Sequence, residues 1–434
     1  ALFLKHRHLM NLPFTEAARR RLDTVPALRE KLLALQKVPG EPLFVYDAAE
    51  VVSRYRSFTD AFSDEGVNVH AFFAMKSNPY PGLLKTIVSA GGGLDASSTR
   101  ELARAVQTKA QRILLTGPAK TEREFAYVLE HPDRITVNLE SMRELETLAR
   151  LAKEKNVQVR CGLRIVTDHQ HGWTKFGQPL KRLREFFDAA QKHPSLVFTG
   201  IHFHTSFNGK PDRYIHTFQE VCAYAREHFS AEERARFTYV DMGGGIYPED
   251  LLECTYPWNA QLEQMHVPPA ILEDIRNDRV QPRVIPHQIT PMKDFAQTIG
   301  AIFRNEVRTA FPHAELYAEP GRLLSNNSMH LLLSLIDKKE NWMGITDGGT
   351  NMIGWEKYQY FYYSPVFNLT HFSAQREIPF FLYGSLCTPD DLWGYYLYCS
   401  DVQEGDTICL PYQGAYTYTL AQEFIKDIPE VIDI

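Results

Sequence analysis

The sequence is poor in cysteine, has no excess of basic residues and contains no long uninterrupted hydrophobic run. Its six cysteines are scattered without CxxC spacing, which argues against a zinc ribbon or a disulfide framework. The net charge of -6 argues against a nucleic-acid or anionic-membrane partner, because little positive charge is left to neutralise phosphates. No run has the length of a membrane span, and basic residues interrupt Ala1–Met10, so we expect no signal peptide. These absences predict a cytoplasmic protein with reduced cysteines.

The rest of the composition is that of an ordinary globular protein, with 44% hydrophobic and 23% charged residues. A chain of 434 residues exceeds what one hydrophobic core normally serves. We therefore expect two domains, or one large barrel with an appendage.

Short apolar segments alternate with charged, helix-like segments through the middle of the chain. The predicted strands are Val69–Lys76, Gly93–Ser97, Ile113–Gly117, Ile135–Glu140, Val157–Ile165, Phe198–Thr205, Phe237–Gly243 and Leu316–Glu319. Eight strands alternating with helices predict a (β/α)8 barrel. An open doubly wound sheet is the rival architecture, but its G-x-G-x-x-G turn is absent.

The same patterns divide the chain into four parts. We predict a helical extension over 1–41, a strand and helix over 42–62, a barrel over 63–325 and a mostly antiparallel β domain, barrel or sandwich, over 326–434. The strand in the second part can join the β domain. Within the barrel, 246–308 is too long for one helix, and we interpret it as an insertion near the site.

The most informative segment is Phe72–Asn78, where Lys76 ends an apolar, strand-like run. A lysine on an apolar strand is costly unless its ammonium is paired, or its pKa is lowered so that it works as an amine. Such an amine typically forms a Schiff base with a carbonyl cofactor or substrate. The structural alternative is a strand end whose lysine reaches solvent.

Other predicted strands also end in residues that can do chemistry, and strand ends form the active site of such a barrel. These ends carry Asp95, Lys120, Glu140, Arg164, His204, Gly243–Gly245 and Glu319–Arg322. The three glycines let backbone N–H groups surround an anion such as phosphate, although a tight turn would also explain them. In the last segment, Glu319 can pair with a protonated ring nitrogen and Arg322 with a phosphate or carboxylate. A structural Glu–Arg pair is the alternative.

Two histidines, His202 and His204, alternate on one strand and therefore share a face. With His169 and His171 they suggest a metal site, but the spacing supplies no convergent third or fourth ligand. We predict no metal, and we interpret His204 as a residue that stacks on a flat cofactor ring.

Ten segments, taken together and in order, resemble the pyridoxal-phosphate-dependent decarboxylases of the alanine-racemase fold type. The similarity is greater to diaminopimelate decarboxylase than to ornithine decarboxylase, and it covers roughly residues 43–420. The segments are Phe73–Asn78, Gly93–Ser97 with Glu101, Val137–Ser141, Leu163–Ile165, Thr174–Gly177, Gly243–Gly245, Glu319–Arg322, Asp347–Asn351, Gly384–Cys387 with Asp391, and Gly414–Tyr416.

The resemblance implies that pyridoxal 5'-phosphate is the cofactor and that Lys76 holds its aldehyde. Glu319 would keep the pyridine nitrogen protonated, and His204 would stack on the ring. The implied cofactor-binding residues also include Asp95, Arg164, Gly243, Gly244, Gly245, Gly321, Arg322 and Tyr416.

The resemblance also implies a homodimer with shared active sites. Cys387 would come from the β domain of a second subunit and protonate the carbon that has lost carbon dioxide. The expected substrate contacts are Asp347, Tyr358, Thr388 and Asp391.

Three departures from the family pattern concern the phosphate and the substrate. The usual His-x-Gly-Ser reads His204-Thr205-Ser206-Phe207 here, so the serine contact with phosphate is shifted or lost. The acidic specificity residue after the cysteine is Thr388, and the arginine of the diaminopimelate enzymes is replaced by Gly354-Trp355. Because missing charged partners weaken recognition, we expect neither diaminopimelate nor ornithine as the substrate. Conjugated amino acids, such as siderophore precursors, are one class that fits.

Two other functions stay open. An amino-acid racemase or epimerase would use the same cofactor, but the Gly384–Cys387 segment with Asp391 favours decarboxylation. A non-catalytic homologue that regulates a partner is the other alternative, and the presence of Lys76, Glu319 and Cys387 argues against it.

Overall fold

The computed structural model describes residues 26–35, 37–167, 174–255, 283–286, 288–354, 366–373, 377–389 and 391–434. The chain divides into two compact units. One, the barrel unit, comprises Ala49–Glu249 and Gln288–Leu324, and the other, the β unit, comprises Ala1–Ala48, Asp250–His287 and Ser325–Ile434. No helix among the described residues is long and apolar enough to cross a bilayer.

The barrel unit contains eight parallel strands that close on themselves. In chain order they are Val69–Ala74, Gly93–Ala96, Ile113–Leu115, Ile135–Leu139, Val159–Val166, Leu196–His202, Tyr239–Asp241 and Glu315–Ala318. Each strand pairs with the next, and the eighth pairs with the first through Leu316 opposite Val69. The predicted (β/α)8 barrel is therefore confirmed.

Helices follow the first seven strands. They are Pro81–Ser89, Thr99–Gln107, Glu122–Glu130, Met142–Lys155, Leu183–Gln191, Asp212–His228 and Met292–Ile302, and Ala48–Asp64 precedes the first strand. Local sequence explains where several begin, because side chains accept the free N–H groups of the first turn. Ser98 accepts the Glu101 N–H, Ser141 accepts the Glu144 N–H, and Thr121 with Glu124 forms a capping box.

An aromatic pair fills the barrel interior below the strand ends. The rings of Tyr239 and Tyr317 stack with centroids 4.7 Å apart. Two neighbouring strands make room for Tyr239 with glycine, since a Cβ at Gly200 would lie 1.8 Å from its ring and one at Gly162 would lie 2.4 Å from its hydroxyl. The Tyr239 hydroxyl donates to Asn138 at 2.8 Å, which links the seventh strand to the fourth inside the barrel.

The β unit is built on an eight-stranded, mostly antiparallel sheet. Its order is Met343–Thr346, Glu377–Tyr383, Leu392–Tyr398, Phe367–Asn368, Thr407–Leu410, Met329–Glu340, Leu43–Tyr46 and Glu430–Asp433, and the first of these also pairs with Met329–Glu340. Leu43–Tyr46 is the strand expected at 42–47, and it runs antiparallel to Met329–Leu332. Buried aliphatic and aromatic side chains form the core, among them Phe44, Leu333 and Trp393.

The structure differs from the sequence-based prediction in two places. The residues after 288 form the seventh barrel helix, Met292–Ile302, so they do not belong to an insertion, whereas Leu252–Thr255 and Arg283–Pro286 form a separate antiparallel pair. Two strands of the β unit, Leu392–Tyr398 and Glu430–Asp433, lie outside the strands that the sequence predicts there, which are Leu331–Leu335, Trp342–Thr346, Tyr358–Phe367, Phe380–Leu382 and Thr407–Leu410. Of the N-terminal extension, the described part contains the helix Pro26–Ala34. The domain boundaries themselves stay a prediction.

Candidate active site

Lys76 follows the first barrel strand directly. The strand ends at Ala74, two residues earlier than expected, and Met75–Ser77 forms a 3-10 turn. The turn is fixed because the Ser77 hydroxyl donates to the Ala74 carbonyl at 2.8 Å. The residues on either side of Lys76 are buried, but Lys76 itself is exposed. The turn therefore directs one amine out of a buried strand end.

The charge of Lys76 acts on three side chains at this end of the barrel. Burial is the largest influence on each: it raises the pKa values of Asp95 and Glu101 and lowers that of His204, and the charge of Lys76 acts to lower all three. Asp95 lies at the second strand, where it accepts the Thr116 hydroxyl at 2.6 Å. The structure thus brings Asp95 and His204 within electrostatic range of Lys76, as the barrel topology predicts.

Three buried carboxyl groups meet at this end of the barrel, and their pKa values shift in opposite directions. Burial and then the negative charge of Glu319 raise the pKa values of Asp95 and Asp241 well above their usual range. Burial also opposes ionisation of Glu319, but the neighbouring His202 is the largest of the influences that outweigh it and hold its pKa well below the usual range. Glu319 is therefore the carboxyl group that is most favoured to carry the negative charge.

Glu319 is nevertheless incompletely hydrogen-bonded. Its Oε1 lies 3.5 Å from Nε2 of His202, and its Oε2 lies 3.7 Å from Nδ1 of His204. The Oε1 atom is buried and has no hydrogen-bond donor among the described residues. A buried carboxylate oxygen without a donor is costly, so this atom fits a ligand that donates an N–H.

The same three side chains are close enough to suit a metal ion, since their ligand atoms lie within 4.8 Å of one another. However, Nδ1 of His204 already accepts the backbone N–H of Gly244 at 3.1 Å. A metal would have to displace that bond. The absence of a metal stays our prediction.

The glycine-rich turn Gly243–Gly245 packs directly against neighbouring backbone. A Cβ would lie 2.6 Å from the Phe203 carbonyl oxygen at the first glycine, 2.2 Å from that of Glu319 at the second and 2.0 Å from that of Thr205 at the third. The first and third also have φ values of +69° and +83°. No side chain fits here, so the turn presents backbone instead of side chains at this point.

Two of the backbone N–H groups of this turn have partners within the protein. The Gly243 N–H donates to Oδ1 of Asp241 at 2.9 Å, and the Gly244 N–H donates to His204. The Gly245 N–H has no acceptor among the described residues. Gly245 is therefore the glycine of this turn whose N–H remains available to an anion.

Arg164 and Glu140, from the fifth and fourth strands, form a buried ion pair with Nη1 and Oε1 3.3 Å apart. The backbone N–H of Gly177 donates to the other carboxylate oxygen at 2.8 Å, and the guanidinium lies 4.6 Å from the centroid of the Phe176 ring. Nε of Arg164 is buried without an acceptor among the described residues. Arg164 is thus held at the strand ends, as predicted.

Lys120, another predicted strand-end residue, has a structural role. Its ammonium donates to Glu144 at 3.0 Å and to the Gly117 carbonyl at 2.6 Å, and it is almost fully buried. Burial lowers its pKa, against the opposing charge of Glu144. These contacts direct its ammonium at Glu144 and Gly117 instead of at the site.

In the β unit, Cys387 lies exposed on a segment that Asp391 organises. Oδ1 of Asp391 accepts the Thr350 N–H and Oδ2 accepts the Leu386 N–H, both at 2.7 Å. Cys387 is a free thiol, and Thr388 beside it is half-buried. The carboxylate of Asp391 is thus occupied by backbone, which gives no support to the expected substrate contact.

Asp347, another expected substrate contact, also has its oxygens bound by other residues of the protein. It forms an ion pair with Lys37 in which both side chains are 1% exposed. Its oxygens also accept the N–H groups of Ser334 at 2.9 Å and Gly40 at 3.1 Å. These contacts are typical of a structural carboxylate. The sequence does not indicate the ion pair, because Lys37 lies more than 300 positions away.

The last two predicted residues belong to the C-terminal part of the chain. Tyr416 is half-buried and has a left-handed backbone, with φ +56°. Tyr358 lies outside the described residues, as do Trp355, His169 and His171. The roles of all these residues stay predictions.

Sequence reasoning missed two residues of the site. Asp241 is buried beside Glu319. The sequence feature that could have identified it is a carboxylate inside the apolar strand that leads to the glycines. Ser206 lies 3.1 Å from Nε2 of His204, and its signal is a serine displaced by one position from the family pattern.

A (β/α)8 barrel with an amine, an ionised buried carboxylate and a glycine-rich turn at its strand ends fits the class of enzymes that bind a phosphorylated carbonyl cofactor. The family model "Pyridoxal-dependent decarboxylase, pyridoxal binding domain" matches residues 48–271. The chain therefore belongs to the pyridoxal-dependent decarboxylase family.

Similar proteins span most of the chain. Diaminopimelate decarboxylase of Archaeoglobus fulgidus is 24% identical over 91% of this chain and 87% of its own length. The 2-[(L-alanin-3-ylcarbamoyl)methyl]-2-hydroxybutanedioate decarboxylase of Staphylococcus aureus is 24% identical over 87% of this chain and 90% of its own. The crystal structure of diaminopimelate decarboxylase from M. jannaschii with L-lysine has the same fold, with a TM-score of 0.72 and 21% identity over 91% of this chain and 87% of that one.

The protein is accordingly a pyridoxal-phosphate-dependent amino-acid decarboxylase. The residues of the barrel fit the cofactor, because Glu319 offers a buried oxygen without a donor and Gly245 a backbone N–H without an acceptor among the residues that the structure describes. The resemblance inferred from the ten segments is thereby confirmed.

Proposed function

We propose that the protein removes the α-carboxylate of a conjugated amino acid, one whose distal amine is acylated. The bound cofactor supplies an electron sink for the pair of electrons left when carbon dioxide departs. The residues of this chain would hold the cofactor, orient the carboxylate of the substrate and return a proton to the α-carbon.

Each barrel residue has a role that follows from its position. The amine of Lys76 would hold the cofactor aldehyde, since it is the exposed amine beside Asp95 and His204. The ionised carboxylate of Glu319 would accept the ring N–H and keep that nitrogen protonated. His204 would cover one face of the ring, and Gly245, Gly321 and Arg322 would bind the phosphate.

The β unit would supply the proton. Cys387 is an exposed thiol, and we propose that it enters the site of a second subunit and transfers a proton from Sγ to the α-carbon. Asp391 holds the Cys387 segment in shape through the Leu386 N–H. A homodimer in which active sites are shared accompanies this proposal.

The observation that carries the substrate proposal is the neutral residue directly after Cys387. Thr388 stands where the family has an acidic residue, and the carboxylates of Asp347 and Asp391 are occupied by Lys37 and by backbone N–H groups. Within the described residues 384–389 and 391, nothing besides Asp391 is acidic, and Asp390 lies outside the described residues. A free distal ammonium would lose its partner here, whereas an acylated nitrogen has no charge to satisfy. The Staphylococcus aureus relative, whose name describes such a conjugate, supports the same class.

The test is carbon dioxide release from two groups of carboxyl-labelled amino acids. One group contains lysine, ornithine and diaminopimelate, and the other contains N-acylated diamino acids. We expect kcat/KM to be about 10- to 100-fold higher for the acylated group, the range that one hydrogen bond to a charge provides. Equal or faster turnover of the free diamino acids would contradict the proposal, and loss of optical rotation without carbon dioxide would indicate a racemase.

A substitution at Thr388 sharpens this test. Thr388→Glu should raise turnover of the free diamino acids and lower that of the conjugates, because it restores a carboxylate beside Cys387. Thr388→Gln has the same length without the charge and serves as the matched control. If both variants change specificity equally, size and not charge selects the substrate.

A further inference from the structure

Two loops hold the imidazole of His204, one at each ring nitrogen. The backbone N–H of Gly244 donates to Nδ1 at 3.1 Å, and Nε2 lies 3.1 Å from the hydroxyl of Ser206. These contacts come from two different loops, one following the sixth strand and the other following the seventh. The ring is therefore fixed at two points on opposite edges.

The two contacts also assign the proton on the ring. A backbone N–H can only donate, so Nδ1 must be the unprotonated, accepting nitrogen. In the neutral ring the proton is then on Nε2, which donates to the Ser206 hydroxyl oxygen. Burial agrees with a neutral ring, since it is the largest influence in lowering the pKa of His204 to about 3.

The loop that carries Ser206 is itself rigidly held. Asn208, two positions later, donates from its backbone to the Gly245 carbonyl at 3.0 Å and from its side chain to the Thr205 hydroxyl at 2.7 Å. Between Ser206 and Asn208, the backbone of Phe207 has a φ of +59°, which is strained for an aromatic residue. Strain of this kind persists only where the surrounding contacts impose it, and it often marks a functional site.

We propose that Ser206 is a positioning residue, whose hydroxyl, opposite the Gly244 N–H, fixes the plane of the His204 imidazole for its contact with the cofactor ring. This inference rests on the proposed role of His204. It assigns a function to a serine at a position where the resembled family has glycine. Without the hydroxyl, one edge of the ring would remain held by Gly244 while the other could rotate.

The rival role for Ser206 is a direct contact with the cofactor phosphate, since the serine of the family pattern lies one position later. The two roles differ in a measurable way. A positioning residue affects binding of the cofactor ring with or without its phosphate, whereas a phosphate contact affects only the phosphorylated form.

The first experiment examines the hydrogen bond between Nε2 and the Ser206 hydroxyl, by nitrogen NMR of histidine-labelled protein without cofactor. His204 is assigned from the resonance lost in His204→Asn. We expect one signal for protonated Nε2 and one for bare Nδ1 in every variant, because the Gly244 N–H by itself requires a bare Nδ1. The Nε2 proton should exchange slowly with water in the wild type and in Ser206→Thr, and faster in Ser206→Ala, where its acceptor is gone. Ser195→Ala, which removes a hydroxyl bound to the Ala149 carbonyl away from the site, should resemble the wild type. Exchange of the Nε2 proton that is unchanged in Ser206→Ala would overturn the proposal.

The second experiment compares the dissociation constants of pyridoxal phosphate and pyridoxal. In Ser206→Ala we expect both to weaken by about fivefold, which corresponds to roughly 1 kcal/mol for one hydrogen bond, and we expect Ser206→Thr to restore them. Weakening confined to pyridoxal phosphate would assign Ser206 to the phosphate, and no weakening of either would leave it without the positioning role. Both results are independent of carbon dioxide release, so failure of the proposed function is recognised separately by an inactive wild type.

Discussion

At the scale of single residues, the site is a small set of ionisable groups of which Glu319 carries the negative charge. Burial and that charge raise the pKa values of Asp95 and Asp241 and so favour their protonated forms. A buried carboxylate at the same strand ends as an exposed lysine can recognise a cationic ring nitrogen and an aldehyde on the same small molecule. The chemistry then depends on the charge of position 319 more than on its shape.

We therefore expect Glu319→Gln to keep the cofactor but to lower the rate of carbon dioxide release by roughly 10²-fold or more, the usual cost of losing a preorganised electrostatic contact. The amide has the same length but cannot hold the ring nitrogen protonated. The measurement is kcat together with the visible absorption of the bound cofactor. Glu101→Gln is the control. The charge of Lys76 also acts on Glu101, but this carboxylate is used to accept the Ser97 N–H at 2.7 Å. A Glu319→Gln enzyme with the wild-type rate would refute the assigned role.

Residue identities at strand ends could be predicted from sequence, but their partners could not. Lys76, His204 and Glu319 are recognisable because each follows an apolar run, and strand ends of a barrel converge. The pairing of Asp347 with Lys37 cannot be recognised in the sequence, because no local pattern indicates a contact across 310 positions. That pairing gives Asp347 a structural partner in place of the expected substrate.

At the scale of elements, the glycine-rich turn is the part most sensitive to change. The structure gives a physical reason for each glycine: the backbone carbonyls of Phe203, Glu319 and Thr205 occupy the space that a Cβ would need. The turn thus ties the sixth, seventh and eighth strands together where the phosphate would lie.

Gly245→Ala should therefore lower the free energy of unfolding by much more than the cost of placing an alanine in a left-handed backbone conformation. Gly91 has a comparable φ of +95°, and nothing lies within 4 Å of the place that a Cβ would take there, so Gly91→Ala should cost only about 1–2 kcal/mol. Gly245→Ala adds a Cβ 2.0 Å from the Thr205 oxygen and should also weaken cofactor binding. Urea unfolding and cofactor titration of both variants give the comparison. Similar losses of unfolding free energy and of cofactor affinity in the two variants would mean that the close packing of the turn contributes to neither.

Element types could be predicted well from periodicity, whereas element ends could not. The apolar run of the first barrel strand continues to Lys76, but the backbone turns after Ala74 because the Ser77 hydroxyl and the Asn78 N–H close a 3-10 turn. The strand Leu392–Tyr398 escapes prediction because Gly394 interrupts an otherwise aromatic run. The seventh helix resembles part of an insertion in the sequence because a long stretch separates it from its strand.

At the scale of the whole molecule, the barrel unit contains buried charge and polar atoms that its cofactor would satisfy. A ligand that binds only the folded state stabilises it in proportion to the logarithm of its concentration. At 100 times its dissociation constant the gain is about 2.7 kcal/mol, enough to raise the melting temperature by several degrees.

We thus expect cofactor removal to lower the melting temperature, and the size of the effect to depend on the aldehyde. Pyridoxal phosphate should stabilise the wild type more than 4'-deoxypyridoxine phosphate, which has the same ring and phosphate but nothing for Lys76 to hold. In Lys76→Ala the two compounds should stabilise equally. Equal shifts in the wild type, measured by thermal unfolding, would show that no amine of the protein engages the aldehyde.

The most direct test of the account is to locate the amine that holds the cofactor. Borohydride treatment of the protein with bound pyridoxal phosphate converts the link between aldehyde and amine into a stable bond, and mass spectrometry of the digested protein identifies the modified peptide. We expect the added mass on the peptide that contains Lys76. Modification of Lys120 or Lys175 instead, or no modified lysine in a protein that releases carbon dioxide, would contradict the account.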